Sequence, residues 1–197
     1  MRILVLSDTH GDNSRAYQVF DKLKKETPVD LIIHCGDYYK DAIQMSERTG
    51  VPAVWVKGNT DGSFSEDDYT IVETPYGNLL VTHGHMENVD FSQQNLYYKA
   101  QEKGCVGALF GHTHRSAFAE VGGVYLMNPG SLTKPRDGSG GTFGIIISEP
   151  DYFVGHIHRF EDFMAKSPDS RGPGSGVSKP KVQGGYLRSL LNYSDRF

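Results

Sequence analysis

Five times in its first 115 residues this chain runs through a short apolar stretch and stops abruptly at a glycine or at an acidic, amide or imidazole side chain. The stretches are Ile3 to Leu6 before Ser7-Asp8, Leu31 to Ile33 before Gly36-Asp37, and Val54 to Val56 before Gly58-Asn59. Leu79 to Val81 before His83 and Ala108 to Phe110 before Gly111-His112 repeat the arrangement. β-Branched runs of this length with glycine stops suit buried strands rather than helices. The polar residues therefore fall at strand ends.

Between the first two runs, Ala16, Val19, Phe20 and Leu23 recur with helical spacing, Lys22, Lys24 and Lys25 occupy the other side, and Pro28 ends the segment. This is a β-α-β unit. Helices are also expected over Asp41 to Arg48 and Gln93 to Lys103, and later strands over Val121 to Met127, Phe143 to Ser148 and Tyr152 to His158. An early half that alternates strand and helix, followed by a strand-rich half, gives an α/β layered fold with mixed sheets. The 197 residues allow one well-buried domain plus an appendage. We place the domain at 1–163, a Pro/Gly/Ser-rich linker at 164–185, and a short amphipathic segment at 186–197 whose Tyr186, Leu187, Leu190 and Leu191 share one helical face.

The net charge of -4 provides no whole-molecule positive field of the kind that holds long nucleic acid. No stretch approaches the roughly 20 apolar residues that span a bilayer. The opening apolar run is too short for a signal peptide, and Cys35 and Cys105 form no C-x-x-C or disulfide framework, so a reducing cytoplasm is expected. Both cysteines read as buried apolar fillers.

The residues at the strand ends carry the chemistry: Asp8-Thr9-His10, Gly36-Asp37, Gly58-Asn59-Thr60-Asp61, Thr82-His83-Gly84-His85 and Gly111-His112-Thr113-His114. Carboxylate, imidazole and amide oxygen donors on rigid strand-to-loop junctions suit divalent metals. Singly, each has a plain alternative: a Gly-Asp pair is usually a turn, and the imidazoles of a His-x-His pair can serve one metal, two or none. Their joint occurrence in this order is the signal. His34, inside a strand, reads as a packed histidine, and His156 and His158, two apart on one strand, read as solvent-facing.

The order D-x-H, G-D, G-N-x-D, H, G-H-x-H over about Met1 to Phe160 resembles the calcineurin-like metallophosphoesterases. Ser7-Asp8-Thr9-His10-Gly11, together with Asn128-Pro129-Gly130-Ser131 and Pro135-Arg136, is similar to the small bacterial YfcE-type phosphodiesterases within them. The resemblance implies a four-layer sandwich of two mixed β-sheets flanked by helices. It also implies two divalent ions, manganese first, with iron, zinc, nickel or cobalt as alternatives. Asp8, His10 and His114 would hold the first metal, Asn59, His83 and His112 the second, and Asp37 would bridge them.

The implied reaction is hydrolysis of a small phosphoester, most simply a phosphodiester, by in-line attack of a metal-bridging hydroxide. Asn59 would act in catalysis as well as in ligation, and Arg136 would reach the anionic phosphate. A widespread version of the pattern has histidine after the ligand asparagine to assist the leaving group, whereas here that position is Thr60. His85 is the candidate to replace it as proton donor. Asp61, which would orient that missing histidine, is left with the loop backbone as its partner. Two other readings share the motifs: a non-catalytic metal-binding scaffold, as in the retromer subunit of this fold, and a nuclease for short or cyclic nucleotides that stacks a base on Phe64, Tyr69 or Tyr97. A homo-oligomer remains open.

Overall fold

The computed structural model describes residues 1–62 and 69–165. Among these residues, ten strands form two five-stranded sheets. In the first, in the order β10-β9-β1-β2-β3, β1 is Arg2–Leu6, β2 Leu31–His34, β3 Ala53–Trp55, β9 Thr142–Glu149 and β10 Tyr152–Arg159. In the second, in the order β4-β5-β6-β8-β7, β4 is Tyr69–Val72, β5 Leu79–Thr82, β6 Gly107–Leu109, β7 Ala117–Val121 and β8 Val124–Asn128. Strands β1, β2 and β3 run parallel, as do β5, β6 and β8, while β4, β7, β9 and β10 pair antiparallel to their neighbours. Both sheets are mixed.

The apolar runs lack alternation because the central strands are covered on both faces. In β1, Ile3 and Val5 point between the sheets and meet Val81, Leu109 and Met127. Leu4 and Leu6 point the other way, into a cluster with Ala16, Val19, Phe20 and Leu23 of α1 (Ser14–Glu26) and Met45 of α2 (Tyr39–Thr49). Phe160 and Phe163 of α4 (Phe160–Ala165) close the same layer. Beneath the second sheet, Leu80, Ala108, Phe110 and Leu126 pack on Leu96 and Ala100 of α3 (Gln94–Glu102). The result is the four-layer α/β sandwich, helices outside and sheets within.

One expected element is corrected. Val121 to Met127 is not one strand but the middle of a hairpin, in which β7 ends at Val121 and β8 begins at Val124, paired across Gly122-Gly123. Both glycines have positive φ, +54° and +82°, as a two-residue type I′ turn requires. Strand β4 was not anticipated. The helix α4 runs through Ala165, two residues beyond the domain end placed at 163, and the remainder of the linker and the segment 186–197 lie outside the described residues.

Candidate metal centre

Every one of the seven expected ligands lies just beyond the C-terminal end of a parallel strand: Asp8 and His10 after β1, Asp37 after β2, Asn59 after β3, His83 after β5, and His112 and His114 after β6. The carboxyl ends of parallel strands are where such sheets build their sites. Side by side in a sandwich, the two sheets bring their loops to one rim.

The backbone pays a conformational penalty to aim these side chains. Asp8, His10, Asp37, His112 and His114 all have φ between +53° and +69°, a region that non-glycine residues enter rarely. Each such residue costs on the order of 1–3 kcal/mol, and surrounding structure must hold it there. Much of the holding is visible. Ser131 Oγ donates to the Asp8 carbonyl at 2.8 Å and Thr133 Oγ1 to the Thr9 carbonyl at 3.1 Å. Asn128 Nδ2 donates to the Gly111 carbonyl at 2.8 Å and to Thr113 Oγ1 at 3.1 Å. The Asn128-Pro129-Gly130-Ser131 turn thus ties the D-x-H loop to the G-H-x-H loop. Two of the motif glycines are equally constrained, since a Cβ at Gly58 would overlap the Asp37 carboxylate and one at Gly111 would overlap Ser7 and Asp8.

The donor atoms form two groups. Asp8, His10, Asp37 and His114 offer ligand atoms that all lie within 4.8 Å of one another. His114 Nε2 is 3.3 Å from Asp8 Oδ1 and 3.3 Å from His10 Nε2, and Asp37 Oδ2 is 4.0 Å from His10 Nε2. On the other side, Asn59 Oδ1 is 3.0 Å from both His83 Nε2 and His112 Nδ1, and Asp37 Oδ1 is 3.4 Å from His83 Nε2. Asp37 stands between the groups with one oxygen toward each.

The proton bookkeeping tests whether cations fit. His83 Nδ1 lies 2.7 Å from the Cys35 carbonyl and His114 Nδ1 2.7 Å from the Lys134 carbonyl, and a carbonyl can only accept. Both rings therefore carry their proton on Nδ1 and turn an Nε2 lone pair toward carboxylate and amide oxygens that also have only lone pairs to offer. A positive charge must sit where they converge. Without metal a proton partly fills the role: the bond to Asp8 raises the pKa of His114 against the effect of burial. Burial pushes the Asp8 carboxyl up, but His114 and His83 outweigh it and hold Asp8 below the usual carboxylate value. Mixed carboxylate, imidazole and amide donors fit a borderline or hard divalent ion.

The other candidate residues separate. The ring centroid of His85 lies 5.4 Å from that of His83 and 6.1 Å from that of His112, so it borders the second donor group. Burial, His83 and His112 lower its pKa. Thr60 contributes its backbone, whose N–H donates to Asp37 Oδ1 at 3.1 Å. Arg136 is exposed, its N–H donates to the His114 carbonyl at 2.9 Å, and its charge is near enough to oppose protonation of His114. Tyr69 and Tyr97, considered as base-stacking residues, pack instead against the core cluster around α3, and Phe64 lies outside the described residues. His34 is fully buried, His156 is exposed, and His158 is half-buried with its ring stacked on Phe143 rather than facing solvent outright.

Asp61 turns away from the donor atoms. Its Oδ1 accepts from the Tyr38 and Tyr39 N–H groups at 2.7 and 3.1 Å, and its Oδ2 accepts from Gly58 N–H at 2.9 Å. It caps α2, whose first turn has no cap of its own, and ties that helix to the Asn59 loop. Asp61→Ala should lower unfolding stability by about 1–3 kcal/mol, because it strips acceptors from three N–H groups. Asp61→Asn should recover part of the loss. Denaturant titration of the two variants decides it, and a stability equal to wild type in Asp61→Ala would refute the capping role.

Residues 1–151 match the model of the calcineurin-like phosphoesterase superfamily domain. A probable metallophosphoesterase of Bacillus subtilis, YsnB, is 32% identical over 151 residues, covering 77% of this chain and 86% of its own length. Phosphodiesterase YfcE of Escherichia coli is 25% identical over 174 residues, covering 76% of this chain and 89% of its own. The crystal structure of a predicted phosphoesterase from Streptococcus pneumoniae superposes with a TM-score of 0.66 at 28% identity, covering 81% of this chain and 90% of that one. The motif order and the two facing sheets agree with these matches, and the chain belongs to the calcineurin-like phosphoesterase superfamily.

Proposed function

We propose that this chain is a two-metal phosphodiesterase acting on a small phosphoester, with Asp8, His10 and His114 holding one divalent cation, Asn59, His83 and His112 the other, and Asp37 bridging. The observation that carries the proposal is the placement of Asp37, with Oδ2 toward His10 and Oδ1 toward His83. Cations bound there, manganese before iron, zinc, nickel or cobalt, supply Lewis acidity toward phosphoryl oxygens and a hydroxide nucleophile near neutral pH. The relative named a phosphodiesterase supports diester hydrolysis.

The chain's own residues set the rest of the chemistry. The backbone carbonyls of Cys35 and Lys134 fix the orientation of His83 and His114, so that both rings turn Nε2 toward the donor groups. Arg136, and Lys134, whose charge opposes protonation of His10, place positive charge beside the first group, where a phosphate diester would approach. His85 at the second group is the residue placed to protonate the departing alkoxide in place of the histidine that Thr60 replaces, with burial, His83 and His112 making its protonated ring scarcer but more acidic. Buried free thiols at Cys35 and Cys105 support a reducing cytoplasmic location, and among the described residues no helix is long and apolar enough to cross a membrane.

The test is hydrolysis of aryl and alkyl phosphodiesters with manganese, before and after chelation. Turnover indifferent to chelation would sink the proposal. A positioned proton donor commonly contributes about 10²–10⁴-fold, and only where the leaving group is basic. His85→Ala should therefore slow alkyl esters by about 10²-fold or more and nitrophenyl esters far less. An equal loss on both substrates would remove His85 from that role.

A further inference from the structure

Beside the first donor group stands an aromatic ring that the metal chemistry does not use. Tyr38 follows Asp37 directly, is 43% exposed, and sets its ring 5.4 Å from that of His10, edge to face at 64°. One edge of the same ring lies over Gly11, where an added Cβ would come within 3.5 Å of Tyr38 Cε1. The Tyr38 backbone is in the left-handed region, φ +70° and ψ +57°, which a bulky residue rarely enters. Asp61 holds it there by accepting the Tyr38 N–H at 2.7 Å. The fold thus keeps a strained residue in place and leaves its ring partly open to solvent beside a candidate metal ligand.

A phosphodiester lying across the two donor groups carries two ester substituents. On the two-metal phosphodiesterase reading given above, the departing one faces His85 at the second group, so the one that stays on phosphorus lies toward the first group and Tyr38. A tyrosine ring offers such a substituent a planar face, and stacking of this kind accepts any aromatic ring rather than one base. We propose that Tyr38 is a specificity-determining residue, which stacks on an aromatic group, aryl or nucleobase, carried by the retained ester oxygen. The stacking role that Tyr69 and Tyr97 do not fill, packed as they are around α3, falls to Tyr38.

The test uses p-nitrophenyl phosphate esterified with ethanol, phenol or thymidine, assayed on the whole chain with manganese. All share a leaving group that needs little protonation, which keeps His85 out of the comparison. Wild type should favour the phenyl or the thymidine diester over the ethyl diester in kcat/KM, phenyl marking an aryl ester and thymidine a nucleobase. Tyr38→Asn removes the ring while suiting the left-handed backbone. It should cut that preference about 5–100-fold, the range for losing one stacking aromatic, and mainly through KM, since stacking is alike in ground and transition states. Tyr38→Phe should behave as wild type. No aromatic preference in wild type, or an undiminished one in Tyr38→Asn, would overturn the proposal. An equal fall of kcat on all substrates would overturn it too, because it would make Tyr38 a support for His10. A wild type that hydrolyses none of them would instead defeat the phosphodiesterase reading. Calorimetric binding of phenyl phosphate against methyl phosphate, in wild type and Tyr38→Asn with manganese, would then judge Tyr38 alone.

Discussion

Asp37→Ala should lose phosphodiesterase activity by at least about 10²–10³-fold, the scale of deleting one group that stabilises charge in a closed site. The reason is positional. Asp37 Oδ2 is 4.0 Å from His10 Nε2 and Oδ1 is 3.4 Å from His83 Nε2, so one substitution takes a negatively charged donor from both groups. Asp8 does not replace it, because its Oδ2 already accepts from Ser7 Oγ and from His112 N–H while its Oδ1 is turned to His114 in the first group. The same variant should fail in a measurement that involves no turnover. A ligand at about 100 times its Kd adds about 2.7 kcal/mol to native stability, which for a domain of this size raises Tm by about 5–10 °C. Wild type should show that rise with manganese, and Asp37→Ala should show little of it. Retention of both the activity and the thermal shift would exclude Asp37 as the bridge.

The donor residues were legible in the sequence because their strands end alike: an apolar run, buried on both faces except in the edge strand β3, then a short polar motif. The central strands β1, β2, β5 and β6 share that property, with nearly every side chain buried. The edge strands β4 and β7 do not. Ile71 in β4 is 39% exposed, and β7 alternates only weakly, so nothing marks either as a strand before its partner is known. What holds the donors in place was also hidden. Asp41 and the Lys134 carbonyl act on residues 20 or more positions away, through geometry that carries no spacing rule. Asn128 and Ser131 could be noticed as a motif, but only the folded chain shows that they tie two ligand loops together. The positive φ angles of Asp8, His10, Asp37, His112 and His114 have no glycine to signal them.

His34 leads to the second large effect, this time on stability. It is fully buried between β1 and β3, and its Nε2 lies 2.8 Å from Thr9 Oγ1. The Thr9 hydroxyl gives its own proton to Asp41 Oδ2 at 2.6 Å, so it accepts from His34 and the ring is the Nε2–H tautomer. Among the described residues Nδ1 has no hydrogen-bond partner, and a proton added there would bury a charge and a donor without an acceptor. Burial accordingly lowers the pKa to about 4 from 6.5, even though Asp8, Asp41 and Asp61 favour the charged form, with His83 opposing it. Unfolded, His34 takes up its proton near pH 6.5, so between pH 6.5 and 4 the unfolded state binds a proton that the native state refuses. Stability must then fall as pH falls through that window, by about 3 kcal/mol in total from this one residue. In the metal-free protein, His34→Gln, which keeps an N–H donor for Thr9 and does not titrate, should flatten the dependence of the denaturation midpoint between pH 7 and 4. If both proteins lose stability with the same slope, His34 is not the group that makes this fold acid-sensitive.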